Sequence, residues 1–295
     1  MSFLRLIRIS NLFIIAFTMY GVWYTQTHDK TPSIEFNLFV LFTVLVAGAG
    51  NTINDYFDVK SDRINKPEKV VVEKSIKRRW AIIIHWGFNA LALCISIYLS
   101  WRFSSWFYVF LHFFSTSLLW VYSVYLKQRL FWSNLSISIL VAIIPLVSLK
   151  AIHDFGGVLI CGSGNGLSGE LHDLAPLIFI ACFALIINFS REVIKDIQDM
   201  EGDTLRNVRS FPLVYGAEKA RWIATGVTLL LIPIYLVGLF IGAFPSGWEF
   251  NILFTSALLL SMSILILQLL NAREKSMNLL LKLSLLLGST SIYFL

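Results

Sequence analysis

Apolar residues in this chain come in long blocks separated by short polar connections, not in alternating pairs. Nine blocks stand out, at residues 11–27, 36–57, 80–100, 104–126, 133–149, 174–194, 220–244, 250–270 and 277–295. Each is about the length that crosses a bilayer as a helix. Backbone groups in lipid must find partners within their own segment, so the pattern predicts helices throughout. Pro145 and Pro233 fall inside blocks and predict local breaks there. The expected architecture is all-α: one domain over residues 1–295, a polytopic membrane bundle of nine transmembrane helices.

Basic residues orient the bundle. With the N-terminus cytoplasmic, 21 of the 24 Lys and Arg fall on the cytoplasmic side, leaving only Lys30, Arg102 and Lys150 opposite. Such a bias is the usual mark of cytoplasmic loops. It places the chain as a multi-pass protein of a cell or inner membrane, with the C-terminus outside. The first block follows Arg5 and Arg8 as a signal peptide would, but it lacks a small-residue cleavage site and reads as a retained helix. Two connections, between blocks two and three and blocks six and seven, are long, polar and cytoplasmic. The connection at 152–173 is also long, but Gly-rich, and residues 162–166 read as a flexible turn without chemistry.

Composition excludes a soluble alternative. Hydrophobic residues make up 57% of the chain and charged residues only 14%, against about 25% charged in soluble domains. The net charge of +6 would raise nucleic acid as a partner of a soluble protein; in a membrane chain it marks the cytoplasmic face, and the expected partner is the lipid bilayer. Cys94, Cys161 and Cys182 match no metal or disulfide spacing and read as apolar fillers. Trp101, Trp106, Trp120 and Trp132 lie near block ends as interfacial aromatics do. Tyr20, Phe57 and Tyr122 read first as packing or lipid-facing residues, with lining of an internal cavity as the alternative, and His85 and His112 as packing or interfacial ones.

Two polar runs change the picture. In the first, Asn54, Asp58 and Asp62 are spaced i, i+4, i+8 and form one oxygen-rich stripe on a helix. Asp55 adds a carboxylate beside it, Asn51 continues it inward, and Asn65 extends it by a turn before Pro67 limits the helix. In the second, Asp196, Asp199 and Asp203 are spaced i, i+3, i+7, with Glu192 one turn earlier. Both runs end apolar blocks, the second and the sixth, on the expected cytoplasmic side. A row of carboxylates at a membrane boundary repels itself unless cations relieve it. Magnesium takes oxygen ligands and is commonly shared between carboxylates and substrate phosphates. Two facing acidic helix ends could hold Mg2+ with a diphosphate between them and make it a better leaving group. An apolar bundle interior would keep water from an allylic cation.

These runs resemble the N-D-x-x-D-x-x-x-D and D-x-x-D-x-x-x-D motifs of the UbiA superfamily of intramembrane prenyltransferases, including the trailing Asn65 and Pro67 of the first, the Lys195-Asp196 start and the Gly202-Asp203 end of the second. The resemblance covers essentially the whole chain. It implies Mg2+-dependent transfer of an isoprenyl group from an isoprenyl diphosphate to a lipophilic acceptor. It implies metal ligands Asn54, Asp55, Asp58, Asp62, Asp196, Asp199 and Asp203, of which Asp58, Asp62, Asp199 and Asp203 are catalytic. Lys127, Arg191 and Lys195 are the implied diphosphate cations. Two departures stand out. Lys69-Val70 occupies the region where many members carry Arg-Pro, and Tyr122 precedes Lys127 by five positions where a Y-x-x-x-K spacing is common. In detail the motifs look most like the branch that prenylates geranylgeranylglyceryl phosphate; an aromatic quinone precursor is the alternative acceptor. Of other classes, the CDP-alcohol phosphatidyltransferases require a D-G-x-x-A-R start that is absent. A cation or organic-anion transporter would place its acids nearer the midplane. The four-segment separation of the motifs also suggests that segments one to four and five to eight are pseudo-repeats, closed by segment nine.

Overall fold

The computed structural model describes residues 2–27, 31–68, 70–156, 167–204, 209–244, 247–270 and 272–295. The proposed turn at 162–166, Cys161, Lys30 and Lys69 lie outside the described residues. Among the described residues the regular structure is helical, with connecting turns and an isolated bridge between Val72 and Ile76. The helices, in order, are α1 (Ser2–Leu6), α2 (Ile9–Gln26), α3 (Ile34–Asn65), α4 (Arg78–Arg102), α5 (Phe107–Val124), α6 (Trp132–Ala142), α7 (Ile144–Asp154), α8 (Leu167–Gln198), α9 (Met200–Thr204), α10 (Phe211–Tyr215), α11 (Ala217–Leu229), α12 (Leu231–Phe240), α13 (Trp248–Leu269) and α14 (Glu274–Ser291).

Both prolines break helices where the sequence predicts. Block five is divided into α6 and α7 at Ile143, with Pro145 in the first turn of α7, and block seven is divided into α11 and α12 at Leu230, just before Pro233. Taken across these breaks, eight helices among the described residues are long and apolar enough to span a membrane, close to the nine expected. The missing one is α2, which stands where the first block was expected. Ser10, Asn11, Thr18 and Gln26 dilute its apolar content, and Asn11 and Thr18 line an internal cavity.

Two spans form the centre. Of their apolar windows, 61% of α3 and 67% of α8 is buried, against 22–44% for the other spans. α3 packs on α4 and α5; α8 packs on α6, α11 and α14; and α14 reaches both α13 and α2, closing the bundle on its first helix. Phe36, Phe39, Phe183, Ile187 and Phe250 are fully enclosed in the shared core. The outer surface is apolar instead of polar. Phe240 is 92% exposed and Trp106 84%, and Trp86, Phe110, Leu259 and Leu270 are also exposed. A belt of this kind is incompatible with water, so the protein is an integral membrane protein.

Smaller expectations are met locally. His85 is buried and its Nδ1 lies 2.9 Å from the Ala49 carbonyl, a packing role. His112 is buried as well, and Trp101, Trp106 and Trp132 are exposed at helix ends, whereas Trp120 packs against Phe57 and His85.

Candidate active site

The first acidic run stays helical for its full length, because α3 continues through Asn65 before the chain turns at Lys66. The second crosses from α8 to α9. Its stripe survives the junction because Asp199 N–H donates to the Lys195 carbonyl and Asp203 N–H to the Asp199 carbonyl, both at 3.0 Å. The two runs meet. Asp58 and Asp203 are buried, 2% and 3% exposed.

Asn65 fastens the two helix ends together. Its Nδ2 donates to the Asp199 carbonyl at 2.9 Å and its Oδ1 accepts from Gly202 N–H at 2.7 Å. The sequence suggests a further oxygen of the stripe at this position; the structure makes it a backbone clamp instead. The approach is close enough to require glycine opposite, since a Cβ on Gly202 would lie 2.6 Å from Asn65 Nδ2 and 2.7 Å from the Ser61 carbonyl. Asn65→Ala is expected to lower unfolding stability by about 1–3 kcal/mol, since a buried donor and acceptor lose their partner. Gly202→Ala should produce the same loss by pushing the ends apart. Thermal melts in detergent check both; unchanged midpoints would show that the clamp holds nothing.

Basic side chains enter the acidic end from four directions. Lys127 donates to Asp58 Oδ2 and lies in the field of Asp203. Burial alone would lower its pKa, but the Asp58 carboxylate more than reverses this and holds the ammonium above its ordinary range. The five-residue spacing from Tyr122 is explained by a 3₁₀ turn at Leu126–Gln128 after the end of α5, which redirects the chain before Lys127. Lys66 pairs with Asp199 at 2.5 Å. Arg8 pairs with Asp55 at 2.8 Å and donates to Asn54 Oδ1 at 3.2 Å. It occupies the left-handed region (φ 54°) between α1 and α2, a strained position for a non-glycine residue. On α8, Lys195 donates to both oxygens of Glu192, at 2.8 and 2.7 Å, and Arg191 approaches Glu192 at 3.4 Å. Asp196 is held by Asn134 Nδ2 at 3.0 Å. Asp62 differs: it has no ion pair or side-chain hydrogen bond among the described residues, although Asp58, Asp55 and Asp199 bear on it, with Lys127 as the opposing charge.

The site residues legible in the sequence are therefore gathered at one end of the bundle. Charge placement alone counts Arg8 among the cytoplasmic basic residues, and Lys66 and Asn134 carry no motif signal; the fold brings all three to the carboxylates. Tyr122 lines the cavity, the alternative to its reading as a packing residue, while Tyr20 bonds Asn37 and Phe57 packs on Trp120. The donor set is oxygen-only, which suits magnesium. Among the described residues no three carboxylate, His or Cys side chains close around one point. An ion here would complete its shell with water and phosphate oxygens, as magnesium ordinarily does.

Below the acidic end lies a cavity between α2, α3, α5, α6–α7, α8 and α14. Its polar end carries Arg8, Asn51, Asn54, Glu192 and Lys195, and its body is walled by Phe42, Leu111, Leu140, Ile180 and Phe183.

Comparison with known proteins gives a consistent result. The UbiA prenyltransferase family matches residues 14–286. A digeranylgeranylglyceryl phosphate synthase of Methanosarcina mazei is 33% identical over 204 residues, covering 69% of this chain and 63% of that protein's length. The same enzyme of Methanosphaera stadtmanae is 31% identical over 209 residues, 69% of this chain and 67% of that protein. Among solved structures, a digeranylgeranylglyceryl phosphate synthase aligns over 100% of this chain and 98% of its own with a TM-score of 0.66 at 22% identity. A UbiA homologue from Archaeoglobus fulgidus bound to GPP and Mg2+ aligns over 100% of both chains with a TM-score of 0.59 at 15% identity. At these identities the structures speak for a shared fold.

Proposed function

The chain belongs to the UbiA prenyltransferase family, and on that footing we propose that it transfers an isoprenyl group from an isoprenyl diphosphate to a lipophilic acceptor, with geranylgeranylglyceryl phosphate as the acceptor. One observation carries the reaction: two acidic stripes, from α3 and from α8–α9, converge beside a largely apolar cavity that they reach through Asn54 and Glu192. The relatives named digeranylgeranylglyceryl phosphate synthase support the acceptor.

Asn54, Asp55, Asp58 and Asp62 on one side, and Asp196, Asp199 and Asp203 on the other, would hold Mg2+ against the diphosphate. The metal would neutralise that group and improve it as a leaving group. Lys127, Arg191 and Lys195 supply cations for the diphosphate oxygens. Lys127 is placed to exchange Asp58 for phosphate, because its ammonium is charged and already at the site. The allylic C1–O bond breaks and its electron pair leaves with the diphosphate. The acceptor hydroxyl oxygen bonds to C1, and its proton goes to the released diphosphate. Phe42, Leu111 and Phe183 flank the prenyl chain and exclude water from the developing cation.

The orientation follows the basic residues: N-terminus and acidic end cytoplasmic, where a water-soluble diphosphate has access. Purified protein incubated with labelled geranylgeranyl diphosphate, magnesium and a panel of acceptors tests the assignment. Label should move to geranylgeranylglyceryl phosphate in preference to hydroxybenzoate or a quinone precursor. Transfer to the aromatic acceptor instead would move the chain to another branch, and no transfer to any acceptor would reject the activity.

A further inference from the structure

A second set of polar groups lines the cavity away from the carboxylates. Asn188, Arg191 and Lys282 face it from α8 and α14. Asn188 is 3% exposed; its Oδ1 accepts from Arg191 at 3.5 Å, and its Nδ2 has no hydrogen-bond partner. Lys282 touches only the Ser10 hydroxyl, at 3.3 Å, and pairs with no carboxylate among the described residues. Arg191 reaches across to Asn278 Oδ1 on α14 at 3.0 Å, one helical turn before Lys282, and shares Glu192 with Lys195. The wall thus presents an unmatched amide donor, a lysine with no carboxylate among the described residues, and an arginine whose carboxylate, Glu192, is shared with Lys195. Buried donors without acceptors are costly, and like charges meeting inside a bundle are costlier still. An oxyanion would satisfy all three groups at once.

We infer that Asn188, Arg191 and Lys282 form a metal-independent site for the phosphate monoester of the acceptor, separate from the Mg2+-diphosphate site. The inference rests on the prenyl-transfer reading above. The acidic stripes suit a diphosphate only through metal, whereas this wall offers N–H donors and no carboxylate of its own beyond Glu192, so a bare phosphate fits here and not there. Arg191 stands between the two anions. A phosphate-bearing lipid anchored on this wall would keep its head at the polar end of the cavity, on the same side as the diphosphate.

Steady-state kinetics of Lys282→Met and Asn188→Ala, with geranylgeranylglyceryl phosphate and with its dephosphorylated alcohol as acceptors, test the site. Lys282→Met should raise KM for the phosphate acceptor about ten- to a hundredfold, the ordinary scale for losing a charged hydrogen bond. It should leave kcat and the KM for geranylgeranyl diphosphate within about twofold. With the alcohol, variant and wild type should behave alike, and Lys282→Arg should restore the phosphate acceptor. Binding of the phosphate acceptor followed by tryptophan fluorescence in EDTA should survive metal removal and weaken in both variants. Inorganic phosphate or phosphatidylglycerol at the same concentration should not displace it. A raised KM for the prenyl diphosphate, equal losses with both acceptors, acceptor binding that needs magnesium, or displacement by either competitor would overturn the site while leaving prenyl transfer intact. Absence of transfer by the wild type would reject the underlying reaction, and the site with it.

Discussion

Asp62→Asn is expected to reduce single-turnover prenyl transfer at least a thousandfold while leaving the melting temperature unchanged. Among the described residues Asp62 has no ion-pair partner in contact and no side-chain hydrogen bond, and it lies in the field of three carboxylates, Asp58, Asp55 and Asp199, against one more distant cation, Lys127. A lone carboxylate in such company has no evident structural use, so its removal should relieve repulsion and cost no stability. Its function would be to bring in metal. Lewis-acid assistance is worth several kcal/mol of barrier, and about 4 kcal/mol corresponds to a thousandfold. Asp58→Ala and Asp199→Ala should abolish transfer too, but they confound two effects. Each strips a partner from a lysine, Lys127 or Lys66. The Lys127 charge is left in an enclosed site, a loss of about 3–5 kcal/mol for a buried pair. Asp58→Ala should therefore melt earlier than Asp62→Asn. Stopped-turnover product formation with parallel melts separates the two; near-normal turnover of Asp62→Asn at saturating magnesium would remove Asp62 from the metal set.

A fluorinated allylic diphosphate should bind almost as well as the natural substrate and react at least a hundredfold more slowly, about 2.7 kcal/mol of added barrier. Its diphosphate keeps every contact with the acidic end. Fluorine destabilises only the positive charge that develops on the allylic carbon if the C1–O bond breaks before the acceptor attacks. The cavity favours that order, because Phe42, Leu111, Leu140 and Phe183 give the space below the carboxylates a largely apolar wall that limits access of water to a cation. Direct displacement by the acceptor would be far less sensitive. Equal single-turnover rates for the two substrates would leave metal-assisted direct attack as the mechanism.

The parts of the molecule that were legible in advance are those governed by local periodicity. Apolar blocks became helices, Pro145 and Pro233 broke them, and the four-residue spacing of Asn54, Asp58 and Asp62 survived as a stripe because α3 stays helical beyond the apolar block. The first helix is the least clear span for a physical reason: Asn11 and Thr18 line the cavity, so α2 is less apolar than a lipid-facing helix. What was not legible depends on the chain returning to itself. Arg8 reads as one more cytoplasmic basic residue until the left-handed turn at its backbone sends it to Asp55, 47 positions away. Asn65 reads as an extension of the oxygen-rich stripe until Gly202, 137 positions away, closes on it. Lys127 is offset by one residue from the expected spacing, and only the 3₁₀ turn accounts for it. Asn188 and Lys282 have no motif at all; an unmatched donor and an unpaired cation can be seen only in a packed interior.

The central claim is that the two acidic helix ends act as one metal-diphosphate site. Equilibrium binding of a non-reactive geranylgeranyl thiolodiphosphate measures it most directly, using wild type, Asp62→Asn and Asp196→Asn, each with magnesium and with EDTA. The wild type should bind tightly only with magnesium, and each variant, having lost a ligand from one stripe alone, should lose most of that metal-dependent affinity. Full magnesium-dependent binding in either variant, or tight binding by the wild type in EDTA, would contradict it.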